Sequence, residues 1–591
     1  MRDVYRFAGE AVCHLLMLSL FFCMASIGSV FLMAGGMGRG DFFALAVDLL
    51  FVAGVLALLA LMALCLGRGR EWVLRGGVLS LYFFVLAQLQ FQLKTGYFFS
   101  AEMVSYAIDV GSGVLRVLGG SLGLLFWLYM LGALFLFLIP VLESKRLVAR
   151  SKVLHFASAG VFLLLVLGMP YTWGKEWRGA SLVYSFMPAL GGAGESVAGE
   201  YPVGDRDPGK VAVRNRPNIL ILVLESTRAR SVPGFGGGVK AEMPTLVGLM
   251  ERSRVYERAY TVTPHTSKAL VGLLCGVHPN PVAGIVEARG ANIPTVCLPE
   301  FLGGLGYRSL FIQSATEEFE QRRSLVKNFG FDEFLAREQI DSGFKRSGYF
   351  GLDEMAIVEP LREWWRRDEK PMLTVVLTSM AHHPYESLEG AAGTEEENYL
   401  SVLNYSDKFL GRLVAVLEKS GKLNNTVVFV VGDHGEAFGE HGRMQHSIVP
   451  FEEAVHVPLV VFDGRGLIER GRDRGLRQHI DIFPSVVELI GESEGVMPGL
   501  SVFSTQGHER IYINCLWGRS CQSMLAGGEK WIYFPELERV SRFSIFDDPG
   551  EQKELPASDQ HVNAVVSEIL HHQGVLRSFY SPKVCERAQS C

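Results

Sequence analysis

Five uninterrupted apolar runs fall within the first 170 residues, near 11–34, 42–66, 73–92, 121–142 and 153–170. Each is close to the roughly 20 residues that cross a hydrocarbon core of about 30 Å. As buried helices of a soluble globule they would demand an enormous core, so they predict a five-helix transmembrane domain over 1–170. The first run is too long, and too closely followed by others, to be only a cleaved signal peptide. Arg2 and Arg6 precede the first span, Arg68, Arg70 and Arg75 follow the second, and Lys145, Arg146, Arg150 and Lys152 follow the fourth, whereas the opposite loops carry only Arg39, Lys94 and Arg116. That asymmetry puts the N-terminus in the cytoplasm and, with an odd span count, everything after 170 outside it. The loop 93–120 contains an amphipathic stretch suited to a membrane surface. Residues 171–214, rich in Gly, Pro and mixed charge, read as a linker.

From 215 onwards the pattern changes. NILILVLEST (218–227) is a continuous apolar run that ends in polar residues, as expected of a buried parallel strand delivering side chains at its C-terminal end. The same grammar recurs in PMLTVVLTSMAHHPY (371–385), TVVFVVGDHGEAFGEHG (426–442) and PLVVF (458–462), with helical stretches such as MPTLVGLMERS and NYLSVLNYSDKFLGRLVAVLEKS between them. The prediction is an α/β domain with a mostly parallel central sheet flanked by helices, over 215–505, and a small C-terminal subdomain and tail over 506–591. Ligands of such folds gather beyond the carboxyl ends of the strands, where these polar tails fall.

Composition sharpens this division. The chain is 49% hydrophobic yet 20% charged, an average over two unlike parts, and its net charge of −6 carries no nucleic-acid footprint. Cys13, Cys23 and Cys65 lie in the apolar runs. The other six cysteines lie outside and come in close pairs, Cys275/Cys297, Cys515/Cys521 and Cys585/Cys591. An exported domain favours disulfides. Six cysteines allow fifteen connectivities, of which sequential pairing is the expectation.

The candidate chemistry sits at the strand tips. Glu225 ends one apolar run, and Asp433 and His434 end another. A lone strand-end acid is usually a cap or turn residue. Two such tips, one of them the Asp-His of GDHGE, have the donor types of a divalent-cation site. The flanking glycines permit a tight turn and close ligand approach. In TPHTSKALVGLLCG (263–276), Thr266 opens a helix, where a hydroxyl is either an ordinary cap or, beside a metal, a nucleophile.

Taken together, the strand-end acid, the hydroxyl in a helix-start loop and the DHG resemble the alkaline phosphatase/sulfatase superfamily. GYRSLFIQS (306–314), NFGFDEF (328–334), HIDIFPSVVELIG (479–491) and FSIFDDPGEQKEL (543–555) are similar to its later segments. The sulfatase C/S-x-P-x-R pattern is missing at Thr266, since position 268 is Lys and 270 is Leu. With five preceding spans, the chain most resembles the lipoteichoic acid synthase-type phosphoglycerol transferases. That resemblance implies Thr266 as nucleophile, and Glu225, Thr266, Asp433 and His434 as ligands of one divalent metal ion, manganese or magnesium ahead of zinc. It also implies substrate binding by His382 of HHPY and by Arg322, although the aromatic residue that accompanies this Arg in the family is Glu320 here. His446 and His456 match the lipid A phosphoethanolamine transferases, which share the anchor and the Thr.

The implied reaction is transfer of phosphoglycerol from phosphatidylglycerol, a membrane phospholipid donor, to a glycan or polyol-phosphate acceptor. It would occur on the outer face of the cytoplasmic membrane, in a periplasm, without nucleic acid. A phosphoethanolamine transferase acting on lipid A or another glycan, a metal-dependent phosphodiester or sulfate ester hydrolase, and a non-enzymatic sensor on the same fold are the alternatives. The acceptor and the oligomeric state leave no mark in the sequence.

Overall fold

Alternation along the apolar runs decides how the sheet is covered. In the strand β1 (Asn218–Leu224), Ile219, Ile221 and Val223 enter one hydrophobic core, and Leu220, Leu222 and Leu224 enter a second. The strand β6 (Thr426–Gly432) divides in the same way, Val427, Phe429 and Val431 against Val428 and Val430. A strand buried on both faces has no solvated side to alternate with, so its sequence reads as uninterrupted apolar residues.

The computed structural model describes Tyr201 and residues 211–581, apart from 239, 282–283, 291–292, 341–342, 345, 348–350, 368, 387–392, 443, 447–448, 494, 516–520 and 536–538. Among the described residues no helix is long and apolar enough to cross a membrane. The five expected spans, the loop 93–120, most of the linker 171–214 and the pair Cys585/Cys591 lie outside the described residues.

The central sheet has nine strands. The others are β2 (Arg254–Tyr260), β3 (Arg308–Gln313), β4 (Glu333–Leu335), β5 (Met372–Leu377), β7 (His456–Asp463), β8 (Gly471–Asp473) and β9 (Arg477–Gln478). Their order is β8-β2-β7-β6-β1-β5-β3-β4, with β9 also pairing β2. The pairs among β6, β1, β5, β3 and β4 are parallel. The strand β7 corrects the expectation for PLVVF, because it runs antiparallel to both β2 and β6. It therefore starts, rather than ends, at the edge where β1 and β6 finish. An apolar run specifies burial on both faces but carries no direction.

Helices cover both faces. The first core takes in α2 (Thr266–Cys275), α3 (Leu298–Gly304) and α7 (Ile482–Ile490), and the second α1 (Pro244–Met250), α5 (Val358–Arg366) and α6 (Glu395–Lys419). The short helix α4 (Arg322–Asn328) adds Leu325 and Val326 to the first core.

A separate four-stranded antiparallel sheet, β10 (Arg510–Asn514), β11 (Gln522–Ala526), β12 (Glu529–Phe534) and β13 (Arg539–Ser544), packs Met524 and Trp531 against Ile569 of α8 (Asp559–Phe579). Lys530 of β12 is fully buried, its Nζ 2.7 Å from Glu452 Oε1 and 3.0 Å from Glu551 Oε1, and it donates to the Pro450 carbonyl at 2.9 Å.

Two of the expected disulfides are formed, Cys275–Cys297 with Cα atoms 4.0 Å apart and Cys515–Cys521 at 5.5 Å. The first joins the end of α2 to the residue before α3. Closing a loop of this length restricts the unfolded chain, so Cys275→Ser/Cys297→Ser should cost on the order of 3 kcal/mol in denaturant unfolding. An unchanged midpoint would show that the bridge contributes nothing to stability.

Candidate active site

Parallel pairing of β1 with β6 aligns Leu224 with Gly432, so the residues that follow, Glu225 and Asp433, leave the sheet at the same level. Hydrogen bonds hold this corner. Glu225 N–H donates to Thr378 Oγ1 at 2.9 Å, and the amides of Ser226 and His434 both donate to Asp433 Oδ1 at 2.8 Å. Ser226 takes a left-handed φ of 50° to turn its amide back, a conformation that is costly for a non-glycine residue and found where the surroundings compel it. The glycines of GDHG allow close backbone approach. A Cβ on Gly432 would lie 2.5 Å from the Thr227 carbonyl, and one on Gly435 2.0 Å from that of Glu453.

Thr266 is the first residue of α2, and no side chain caps that helix. Its Oγ1 lies 3.2 and 3.3 Å from the two oxygens of Glu225 and 3.3 Å from His434 Nε2. The cap interpretation therefore does not describe this residue. His434 Nδ1 meets the Gly435 carbonyl at 2.9 Å, which makes Nδ1 the protonated nitrogen and turns the Nε2 lone pair toward Thr266.

A divalent cation fits this donor set. Ligand atoms of Glu225, Asp433 and His434 all lie within 4.8 Å of one another. Asp433 Oδ2 is buried without a hydrogen-bond partner. Burial, followed by the charges of Asp433 and Glu320, raises the Glu225 carboxyl well above its usual range, and burial lifts Asp433 to about 7. Burial, then His446, pushes His434 down. Two buried acids that resist ionising together are stabilised by a cation between them. Carboxylates and an imidazole are donor types that manganese, magnesium and zinc all accept.

The remaining expected residues form two groups. The rings of His446 and His434 lie 4.7 Å apart, and those of His446 and His382 5.9 Å. His446 Nδ1 is 3.7 Å from Glu436 Oε2, and although burial opposes it this carboxylate raises the His446 pKa. His382 is pushed down to about 3 by burial and by His446. Arg322, at the start of α4, is buried, with Nη2 3.4 Å from Glu320 Oε2. His456 is not brought into this cluster. It stacks on Tyr260 and meets the Glu257 carbonyl at 2.8 Å.

Sequence reasoning missed Glu320, His265, Ser267, Glu436 and Glu354 as parts of the site. Glu320 and Gln321 adopt successive left-handed conformations, φ 54° and 53°, each costing on the order of 1–3 kcal/mol. Glu436 stands inside the GDHGE motif and His265 immediately before the threonine, so position was the signal for both. Glu354 Oε1 accepts the amides of Ser379 and Met380 at 2.7 and 2.8 Å and so fixes the turn leading to His382.

Comparison with known proteins agrees with this geometry. Residues 217–492 match the Sulfatase family. An ulvan-active sulfatase of Formosa agariphila is 22% identical over 287 residues, 42% of this chain and 56% of that protein. Lipoteichoic acid synthase of Staphylococcus aureus is 22% identical over 222 residues, 35% of this chain and 34% of that protein. The chain thus spans about half and about a third of these two relatives. A crystal structure of a protein in the alkaline phosphatase superfamily from Vibrio parahaemolyticus superposes with a TM-score of 0.53 at 21% identity, covering 64% of this chain and 90% of that one. Residues 217–492 are thus similar to the Sulfatase family, and lipoteichoic acid synthases are among the proteins that the chain resembles.

Two outcomes follow. Asp433→Asn keeps an oxygen for the Ser226 and His434 amides but removes one of the paired charges. It should abolish manganese binding in calorimetric titration, yet melt in chelator at or above the wild-type temperature. Melting well below wild type would show that the acid is structural. Separately, burial lifts the Glu354 carboxyl from 4.5 to about 7. A carboxyl raised in the folded state contributes fully below pH about 4.5 and loses that contribution as pH rises through about 7. Glu354→Gln should therefore gain on the order of 1–3 kcal/mol over wild type at pH 8 relative to pH 4, and a pH-independent difference would refute this.

Proposed function

We propose that this chain transfers phosphoglycerol from phosphatidylglycerol to a glycan or polyol-phosphate acceptor, on the outer face of the cytoplasmic membrane, through a covalent phosphothreonine. The observation that carries the proposal is the Thr266 hydroxyl, 3.2 Å from Glu225 and 3.3 Å from His434 Nε2, where a sulfatase would need its C/S-x-P-x-R. Glu225, Asp433 and His434 would hold the cation, which when bound supplies positive charge that acidifies the hydroxyl and offsets charge on the phosphoryl oxygens.

Thr266 Oγ gives up its proton to water and attacks phosphorus. The P–O bond to diacylglycerol breaks, and that oxygen takes a proton as it leaves. Facing the site, His446, whose charged form Glu436 favours, is suited to supply it, while His382, held neutral, is suited to accept hydrogen bonds or receive a proton in the return step. The acceptor hydroxyl then attacks the same phosphorus, the P–Oγ bond breaks and Thr266 is regenerated. Arg322 binds a non-bridging oxygen. Tethering the domain beside a lipid donor raises the donor's effective concentration.

The ring of His446 against His434 supports a second reading, in which the head group is phosphoethanolamine, because this is the residue that matches those transferases. Mass spectrometry of enzyme incubated with each phospholipid separates the two. A phosphoglycerol adduct on Thr266, absent in Thr266→Ala, is expected. A phosphoethanolamine adduct alone would replace the donor, and head-group release that persists in Thr266→Ala would sink the covalent mechanism.

A further inference from the structure

Glu320 occupies the place of the aromatic residue that accompanies the substrate arginine in the resembling transferases, and no step above uses it. It is buried. Its Oε2 accepts Ser267 Oγ–H at 2.5 Å and lies 3.4 Å from Arg322 Nη2, and its Oε1 lies 3.1 Å from His265 Nε2. Two of these partners flank Thr266 directly, so the carboxylate sits against the nucleophile's own turn. Its donors hold it ionised, and the charge and hydrogen bond of His265 keep its pKa well below the ordinary range despite burial.

Arg322 pairs with this carboxylate, yet its Nε and Nη1 are buried and have no hydrogen-bond partner. A buried guanidinium with unused N–H groups calls for an anionic oxygen. The neighbouring cation Lys268 is not available for that role, since its Nζ is committed to both oxygens of Glu287, at 3.0 and 2.8 Å, and to the Asn280 carbonyl. An incoming ester therefore meets one arginine whose charge Glu320 offsets, next to Glu225 and Asp433.

We propose that Glu320 is a specificity-determining residue that makes this site select singly charged phosphate diesters over doubly charged phosphate monoesters. The inference rests on the phosphodiester donor proposed above and deepens it. One negatively charged oxygen on the ligand can be held by the unused N–H groups of Arg322, whereas a second charge meets the carboxylate that already offsets that arginine. At close separation and an effective dielectric near that of partly buried sites, one extra charge is worth about tenfold or more in binding.

The test compares kcat/KM for bis(4-nitrophenyl) phosphate and 4-nitrophenyl phosphate at pH 8, with the full chain in detergent and manganese. Wild type should prefer the diester. Glu320→Gln should move the diester-to-monoester ratio toward the monoester by about tenfold. Glu320→Asp, which keeps the charge, and Ser267→Ala, which removes only a hydrogen bond, should stay near the wild-type ratio. An unshifted ratio in folded Glu320→Gln overturns the proposal, as does an equal shift in Ser267→Ala. A wild type that prefers the monoester overturns it whether or not the Gln variant folds. Diester preference with the expected shift, but no Thr266 adduct from either phospholipid, would leave this selectivity standing and remove the donor assignment. No diester turnover at all would remove both.

Discussion

The candidate site depends on the parallel register between β1 and β6. Leu224 opposite Gly432 means that two carboxylates emerge side by side at the end of a sheet buried on both faces. The amide of Ser226, donating to Asp433 Oδ1, then holds the two tips together. A slip of one residue would exchange the two hydrophobic cores and turn Glu225 away from its partner. The apolar packing that fixes this register therefore also enforces an electrostatically unfavourable pair. Stability stored in the strands is what makes the acidic corner tolerable, in the manner of many sites held in strained arrangements.

Around that corner the chain arranges groups whose preferred charges differ. Burial favours neutral forms of Glu225, Asp433, His434 and His382, whereas Glu436 draws His446 toward its protonated form. Such divergence among neighbouring titratable groups is what an acid–base mechanism requires. Local partners contribute to it, since the Glu436 carboxylate beside His446 favours the charged imidazole.

Much of this was legible in the sequence because a strand's chemistry falls at its end. Continuous apolar runs marked where β1 and β6 stop, and the next residues were the acids. The close cysteine pairs likewise foretold Cys275–Cys297 and Cys515–Cys521. What could not be read was direction and long-range partnership. The run 458–462 looked like its parallel neighbours, but hydrophobicity has no arrowhead, and β7 is antiparallel. Thr266 resembled a helix cap because its partners lie 41 and 168 positions away. Glu320 was visible only as a departure from a family pattern, since its role depends on Ser267, 53 residues distant, and on a backbone conformation that no propensity favours.

The buried lysine of the small sheet bears on how this architecture could change over time. Lys530 answers Glu452, which lies just before β7, and Glu551, which lies beyond β13. Were the C-terminal sheet lost through truncation or exchanged by recombination, Glu452 would keep its place in the main domain with its cation gone. An ion pair of this kind couples the fates of two segments: the catalytic domain cannot shed the appendage, and an imported replacement must bring a positive charge to the same spot.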